Sequence, residues 1–470
     1  MDVGLLNDDE DRLSASSELP RSLGARGVLL IGFFWVCGGF YGNEALVTLA
    51  PAGVVLAVLG AMPFLFAIPV SLIMAELSAM LPVSGGQAVF VEAACGEVVG
   101  LQNACWLLLV VLADASIYPQ LAAQYAAGWC GAQSWVPTTL KAGMVCVTAA
   151  AHSRGNGSTE AASAFVALVV MAPCAAFIGL GLPRLLASDV LARGFEGAAS
   201  ETDAGMLLAW ILWNFSGWSS FGAIAGEVKR PVARTLLRGI LGLVPVVFIL
   251  QACPVLVSLA AEPDAGKYEA GFFAAIARRL GGAGLAVPFA IGAQFSNLGY
   301  HSSQMVTAQR TLYFLAEERS GRRVGGAAAG PGLRGYLLEA PRDGVRRIYV
   351  LACALASLCL INVPYRILLT VEIALYSVSK MLFLLSFLVL RRSRPNVPRP
   401  FVVPGGPLGA VVCAALPATV VGASLVLTFF GDWLPGPAYG GLAPFPGFHL
   451  TLCAGLVAAI FGATRITNAW

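Results

Sequence analysis

The residues of this chain that are best suited to chemistry interrupt its first apolar stretch, residues 27–50. The centre of that stretch holds two adjacent glycines, an aromatic residue and two polar residues: Gly38, Gly39, Phe40, Asn43 and Glu44. Glycine weakens a helix by about 1 kcal/mol, and a carboxylate at the middle of a membrane costs about 2.5–3.5 kcal/mol. Because broken backbone at that depth must be buried in protein or line a wet cavity, the pattern predicts a discontinuous helix at a binding site. The alternative is a glycine-rich packing face between helices.

A second apolar stretch, residues 205–226, has a similar centre. It contains Trp213, Asn214, Gly217, Trp218 and Ser219. Two interrupted helices in corresponding positions of the two halves of a membrane protein indicate a substrate site between them. The aromatic rings are suited to closing over a cation. The alternative here is a polar helix interface in which Ser and Asn bond across helices.

The composition predicts the elements that must position these residues. The chain has 470 residues, of which 58% are hydrophobic and 12% charged, with a mean hydropathy of +0.78. Soluble domains are about 25% charged, so we expect an all-α integral membrane protein with about 12 transmembrane helices. The net charge of +3 implies no nucleic-acid partner. The cysteines lie mostly within apolar stretches, and no Cys/His spacing suggests a metal or a cofactor.

The charge distribution predicts the orientation and the domain boundaries. Lys and Arg concentrate in the segments that are cytoplasmic if the N-terminus is inside, so both termini should be cytoplasmic. Residues 1–26 are polar and fit a cytoplasmic tail without a cleavable signal peptide. A single domain should span residues 27–466, with helices 11 and 12 in residues 408–466 and a flexible cytoplasmic loop at 319–343. The plasma membrane is the expected location, with a vesicular membrane as the alternative.

Several motifs resemble the amino acid–polyamine–organocation superfamily, and within it the polyamine uptake transporters of plants and trypanosomatid parasites. The run GGFYGNE at 38–44 is similar to that family's GGPFGVE. Matching stretches follow in order at residues 68–86, 114–119, 213–231, 295–299 and 399–404. The resemblance covers roughly residues 27–430.

The resemblance implies a leucine-transporter-like fold with two inverted five-helix repeats, about 27–183 and 205–390, in which helices 1 and 6 are broken. It implies a substrate between helices 1, 3, 6, 8 and 10, and proton coupling. It points to site residues in helices 1, 3 and 6: Gly38, Gly39, Glu44, Asp114, Tyr118, Trp213, Asn214, Gly217 and Trp218. The chain departs from the family at Ser219, Gln304 and Phe383, where the family has acidic residues, and it adds Lys380 nearby.

Individual charged residues suggest roles with alternatives. Glu44 is the best candidate for binding a substrate amine or for proton coupling, and otherwise a structural partner. Asp114 and Tyr118 lie four residues apart on one helix face, as a pocket wall or as a structural polar contact. Glu76 fits a gate or a structural ion pair, and Glu227 an inner-gate salt bridge. Lys380 is a further candidate for proton coupling or gating, and it either alters the specificity of the site or pairs with Glu372 or an acid of helix 1.

Together these features predict a secondary active transporter, coupled to protons, for polyamines or amino acids. Its partners should be a small-molecule substrate, the coupling proton and membrane lipid. The lost carboxylates favour an amino acid and the overall pattern favours a polyamine. Alternatives are a transporter-like sensor, a substrate exchanger without ion coupling, and a channel. An enzyme is disfavoured, because the sequence contains no evident nucleophile–base pair and only three histidines.

Overall fold

The apolar stretches of the sequence form helices in the structure, a computed structural model. Seven of the described helices are long and apolar enough to cross a membrane, and two shorter ones are apolar. Within the described part of the chain, strand-like pairing is limited to one bridge between Leu23 and Val228. The structure describes residues 21–82, 85–130, 136–154, 160–190, 192, 194, 202–268, 271–318 and 347–430.

The helices are numbered here in chain order. They are α1 (Ala25–Val36), α2 (Leu46–Leu49), α3 (Ala52–Met80), α4 (Gln87–Cys95), α5 (Glu97–Cys130), α6 (Val136–Ser153), α7 (Glu160–Leu186), α8 (Ala204–Asn214), α9 (Val232–Ala261), α10 (Phe272–Tyr313), α11 (Arg347–Leu360), α12 (Tyr365–Ser393) and α13 (Gly406–Phe430). The number of twelve spans and the two five-helix repeats remain predictions.

Both predicted helix breaks are present. Helix α1 ends at Val36, and the chain then runs through Gly38 and Gly39, whose φ values of +49° and +110° favour glycine. A short 3₁₀ turn, Asn43–Ala45, leads into α2. Helix α8 ends at Asn214, and the chain continues as a 3₁₀ helix, Ser216–Glu227. Both breaks therefore expose backbone inside the protein, as the glycines and polar residues predicted.

Other segments refine the predicted boundaries. Helix α10 begins at Phe272 and is kinked at Gly281 and Gly282, where the backbone leaves the helical conformation. The mixed segment 82–100 contains the short helix α4. Most of the N-terminal tail (residues 1–20), the loop 319–343 and the last predicted helix, 447–466, lie outside the described residues.

The centre of the protein is built by α5, which packs extensively against α10 and α12. The 3₁₀ helix contacts α1, α3, α4 and α10. A side chain at Gly217 would overlap the backbone carbonyl of Trp35, so glycine allows the two broken helices to touch. This close approach places the two breaks beside the polar faces of α5, α10 and α12.

Candidate functional site

Hydroxyl groups of α10 donate hydrogen bonds to the backbone at the first break. A helix end leaves its last carbonyl oxygens without helical partners. Three of these oxygens instead accept hydrogen bonds from one face of α10: Ser303 Oγ donates to Phe34 O (3.2 Å), Tyr300 Oη to Cys37 O, and Ser296 Oγ to Gly38 O. The indole of Trp35 donates to Ser303 O (3.1 Å). The unwound backbone is thus satisfied by the protein itself.

A chain of amide groups joins the two breaks. Asn214 Nδ2, at the end of α8, donates to Asn43 Oδ1 (2.8 Å) in the first break. Asn43 Nδ2 donates to Gln251 Oε1 of α9 (2.5 Å). These bonds fix the relative positions of the two interrupted helices. Because each amide group has both a donor and an acceptor, the nitrogen of one amide donates to the oxygen of the next along this chain.

Next to this link is a polar cavity, called here the amide cavity. It is lined by Trp35, Gly39, Tyr41, Asn43, Tyr118, Leu121, Trp213, Asn214, Ser216, Asn297 and Tyr300. None of these lining residues is acidic or basic. The amide cavity therefore offers neutral hydrogen-bonding groups and aromatic faces.

A second cavity, called here the carboxylate cavity, lies between α5, the 3₁₀ helix, α10 and α12. Its lining includes two acids, Asp114 and Glu372, with Gln87, Gly217, Ser219, Gln304 and Tyr376. Ser216 lines both cavities. The acidic side chains are 2% and 1% exposed. Two carboxylates face one buried space, which is an arrangement that attracts a cation.

The two carboxylates differ in their partners. Asp114 accepts hydrogen bonds from Trp213 Nε1 (2.9 Å) and from Gln304 Nε2, one on each carboxylate oxygen. Glu372 has one buried oxygen without a hydrogen-bond partner among the described residues. A buried carboxylate oxygen is costly to leave unsatisfied, so Glu372 is ready to accept a bond from a ligand. The carboxylate of Asp114 is held in a fixed orientation by its two hydrogen bonds, facing the same cavity.

Aromatic rings separate the two cavities. Tyr118 stacks on Tyr300 with ring centroids 4.6 Å apart and on Trp213 at 6.1 Å. The Trp213 indole reaches from this stack to Asp114. A cation held near Asp114 would also lie close to aromatic faces, which attract positive charge.

The predicted site residues divide into two groups. Those that line a cavity are Gly39, Asp114, Tyr118, Trp213, Asn214, Gly217 and Ser219. Those that line neither of these two cavities of the described structure are Gly38, Phe40, Glu44, Glu76, Trp218, Glu227 and Lys380. Gly38 supports the break through its carbonyl. Phe40 and Trp218 are fully buried, Phe40 within a cluster of rings and Trp218 against Phe221.

Glu44 lies behind the first break. It is 0% exposed and accepts a hydrogen bond from Tyr125 of α5. The same hydroxyl accepts a bond from the Gly42 amide (3.1 Å). The second oxygen of Glu44 has no hydrogen-bond partner in the described structure. Glu44 is thus a buried carboxylate coupled to the break through Tyr125, and it does not line either cavity.

The remaining two predicted acids form ion pairs. Glu76 of α3 bonds to Arg391 at 2.6 and 2.8 Å and lies 3.4 Å from Arg399. Glu227, at the end of the 3₁₀ helix, bonds to Arg310 of α10 at 2.7 Å. Glu76 therefore forms an ion pair, and its role as a gate or as a structural contact stays a prediction. The salt bridge predicted for Glu227 is present, with its partner on α10.

Lys380 does not form, within the described part of the chain, the ion pair that was one of its two alternatives. Its ammonium bonds to Gln87 Oε1 (3.1 Å) and lies 4.9 and 5.0 Å from the ring centroids of Tyr376 and Phe383. No carboxylate lies within ion-pair distance of it among the described residues. Glu372 lies two turns away along α12, where it faces the carboxylate cavity instead.

Glu372 is the acidic cavity residue that sequence reasoning missed. It was considered only as a partner of Lys380, although an acid inside an apolar helix is itself a signal of function. Among the described residues, no cluster of three His, Cys, Asp or Glu could hold a metal ion.

Comparison with known proteins agrees with this architecture. Residues 28–432 match the model of the amino acid permease family. A polyamine transporter of Oryza sativa subsp. japonica is 28% identical over 406 residues, covering 85% of this chain and 73% of that protein. A polyamine transporter of Arabidopsis thaliana is 28% identical over 409 residues, covering 84% and 78%.

Proposed function

Because this chain belongs to the amino acid permease family, within the amino acid–polyamine–organocation superfamily, we propose that it is a secondary transporter of polyamines. The observation that carries the proposal is the pair of buried carboxylates, Asp114 and Glu372, that line one cavity beside two broken helices. Relatives at 28% identity are named polyamine transporters, which supports the same substrate class.

The chemistry of the cavity favours an amine over an amino acid. A buried ammonium group needs an anionic partner, because an isolated charge in a low-dielectric interior is strongly disfavoured. Glu372 supplies a free oxygen and Asp114 an oriented carboxylate. The carboxylate of an amino acid in the same cavity would be repelled by both acids. Tyr376 adds an aromatic ring to the lining of this cavity, which suits alkyl segments and positive charge.

Transport would proceed by alternating access between the two predicted repeats, 27–183 and 205–390. The amide link between Asn43 and Asn214 couples the two breaks, so a ligand bound beside them would move both. The Glu227–Arg310 pair joins the end of the 3₁₀ helix to α10. We assign this pair to the gate on that side of the cavity.

The coupling ion in this proposal is the proton. The carbonyl oxygens of Phe34, Cys37 and Gly38, which could otherwise bind a sodium ion, already accept hydroxyl bonds from α10. Glu44 is a buried carboxylate bonded to Tyr125, whose hydroxyl also contacts the break. We assign the coupling proton to Glu44, because protonation would remove its charge and change that contact.

Uptake into proteoliposomes tests the proposal. Purified protein is reconstituted with an inward proton gradient and offered labelled putrescine, spermidine, arginine or leucine. We expect saturable amine uptake that is lost with a protonophore, lost in Glu44→Gln, and unchanged when sodium is replaced by choline. Uptake of leucine or arginine in place of the amines would refute the proposal that the substrates are polyamines. Binding of an amine without uptake would identify a sensor.

A further inference from the structure

Basic side chains gather where the 3₁₀ helix meets α9, at the start of the candidate membrane span Val232–Ala261. Four of them are exposed and are called here the basic cluster: Lys229, Arg230, Arg234 and Arg238. None of the four forms an ion pair within the described part of the chain. The acid that precedes them in the sequence, Glu227, is already paired with Arg310 at 2.7 Å. The charges of the cluster are therefore available to a ligand.

A fifth basic residue adjoins the cluster. The guanidinium of Arg21 donates to the backbone oxygens of Val228 (3.2 Å) and Pro82 (3.1 Å). Burial lowers the pKa of Arg21, and the nearby positive charge of Arg230 lowers it further. Like charges thus lie close together without a counter-charge from the described residues, and such a group of charges attracts an anion.

The basic cluster leads into an apolar stripe on α9. Arg234 and Arg238 lie four residues apart and share one face of the helix. In the described structure the same face continues through three exposed apolar residues: Leu241 (39%), Phe248 (39%) and Ile249 (49%). From Arg238 to Ile249 the helix rises about 16 Å, which is close to half of a hydrocarbon core about 30 Å thick. When this stripe lies along the acyl chains of one leaflet, the two arginines lie at the level of the headgroups.

We propose that the basic cluster binds the headgroup of an anionic phospholipid, in the leaflet on the N-terminal side of the membrane, with an acyl chain along the apolar stripe of α9. Two separate observations support this occupant. The unpaired positive charges fit a phosphate group, to which an arginine can donate two parallel hydrogen bonds. The stripe that leads away from them fits a chain attached to that phosphate, which a soluble anion lacks. The site is separate from both cavities and does not depend on the proposed substrate.

A lipid bound there would hold together the junction beside the proposed gate. Lys229 follows Glu227 by two residues. The backbone at this point is fastened to the segment before α1, because Leu23 N donates to Glu227 O (3.0 Å) and Lys229 N donates to Leu23 O (2.9 Å). Binding of the headgroup should therefore stabilise the fold as well as recruit lipid.

Native mass spectrometry of the full-length protein in detergent, with phosphatidylglycerol or phosphatidylcholine added, measures the Kd of the first bound lipid. We expect the wild type to bind phosphatidylglycerol more tightly. The double variant Arg234→Gln/Arg238→Gln should raise that Kd by about 25-fold, because each basic residue beside an anionic lipid contributes about fivefold. Phosphatidylglycerol should also raise the unfolding temperature of the wild type and not that of the double variant.

A matched control removes two arginines from another place on the same side of the membrane. Arg392→Gln/Arg394→Gln, at the end of α12, changes the net charge equally and should leave the Kd unaltered. An equal loss in both double variants would show that net charge alone attracts the lipid and would overturn the proposal. Displacement of phosphatidylglycerol by the same concentration of inorganic phosphate would overturn it too, because the site would then bind a free anion.

The N-terminal tail supplies the remaining outcome, because residues 8–11 are all acidic. If the tail occupies the basic cluster, the wild type shows no preference for phosphatidylglycerol, and changing these four acids to their amides creates one; that result would overturn the proposal. If the double variant does not fold, Arg234→Gln and Arg238→Gln are measured singly, and each should raise the Kd about fivefold. Failure of this proposal would leave the polyamine function standing, since no step of the binding assay involves transport.

Discussion

Replacing Glu372 by Gln should weaken amine binding more clearly than any other single change in the cavity. Glu372 is 1% exposed, and one of its oxygens has no partner in the described part of the chain. The substitution keeps the shape of the side chain and removes only its charge. The loss of affinity therefore reports the ion pair with the substrate and not a change in packing.

The expected magnitude follows from that contact. A hydrogen bond to a charged group contributes about 1.5–3 kcal/mol, which corresponds to a change in Kd of about 10- to 150-fold. We expect Glu372→Gln to raise the Kd for putrescine within this range, measured by titration calorimetry on the purified protein. Glu372→Asp keeps the charge on a shorter side chain and should recover part of the affinity.

Two comparisons make the measurement decisive. Glu97→Gln removes an exposed carboxylate at the start of α5 and should leave the Kd unaltered. Asp114→Asn should weaken binding as well, because it also removes a cavity charge. Wild-type affinity in a folded Glu372→Gln protein would refute the assignment of this cavity to the amine.

Three further predictions concern the scaffold and are measured as thermal unfolding of purified protein. In Gly217→Ala the added methyl group overlaps the carbonyl at the end of α1, which should lower the free energy of unfolding by about 1–3 kcal/mol. In the control, Gly422→Ala, the methyl group meets nothing within 4 Å, so the free energy of unfolding should not fall. Glu76→Gln leaves Arg391, which is 17% exposed, without its partner and should lower the free energy of unfolding by about 3 kcal/mol. Adding Arg391→Met should restore part of the lost stability. A double variant that is no more stable than Glu76→Gln would contradict the pairing. Hydrogen bonds from an arginine and a lysine lower the pKa of Glu262 from 4.5 to about 2. The ionised Glu262 therefore stabilises the fold fully at pH 7, and this stabilisation is lost as the pH falls from about 4.5 toward 2. A difference in unfolding temperature between wild type and Glu262→Gln that does not shrink over that range would contradict this prediction.

The helix breaks could be predicted from the sequence because their signal is local. Gly38 and Gly39 adopt backbone conformations that favour glycine, and the amide of Asn214 ends α8 within a polar run. Apolar length located the spans for the same reason, since each helix must cover a fixed thickness of hydrocarbon. Asp114 was named because residues 114–119 resemble a motif of the family, whereas Glu372, an acid in an equally apolar helix, lies in no such motif.

The contacts between helices could not be predicted, because they depend on how each helix is rotated. Lys380 and Glu372 share a face of α12, but they contact different neighbours: the first meets Gln87 of α4 and the second the carboxylate cavity. Glu44 lies only a few residues from the cavity-lining Gly39, yet the 3₁₀ turn directs its carboxylate to Tyr125. A helix buried on several sides has no single apolar stripe from which such a rotation could be determined.

The 3₁₀ helix after the second break has a mechanical consequence. Its twelve residues, Ser216–Glu227, span about 24 Å at the rise of a 3₁₀ helix and would span about 18 Å as an α-helix. Rewinding would therefore shorten the segment by about 6 Å without breaking the chain. One end borders both cavities and the other is tied to Arg310. If the proposed transport cycle includes such rewinding, a change at the ligand would reach the Glu227–Arg310 pair as a displacement of about 6 Å.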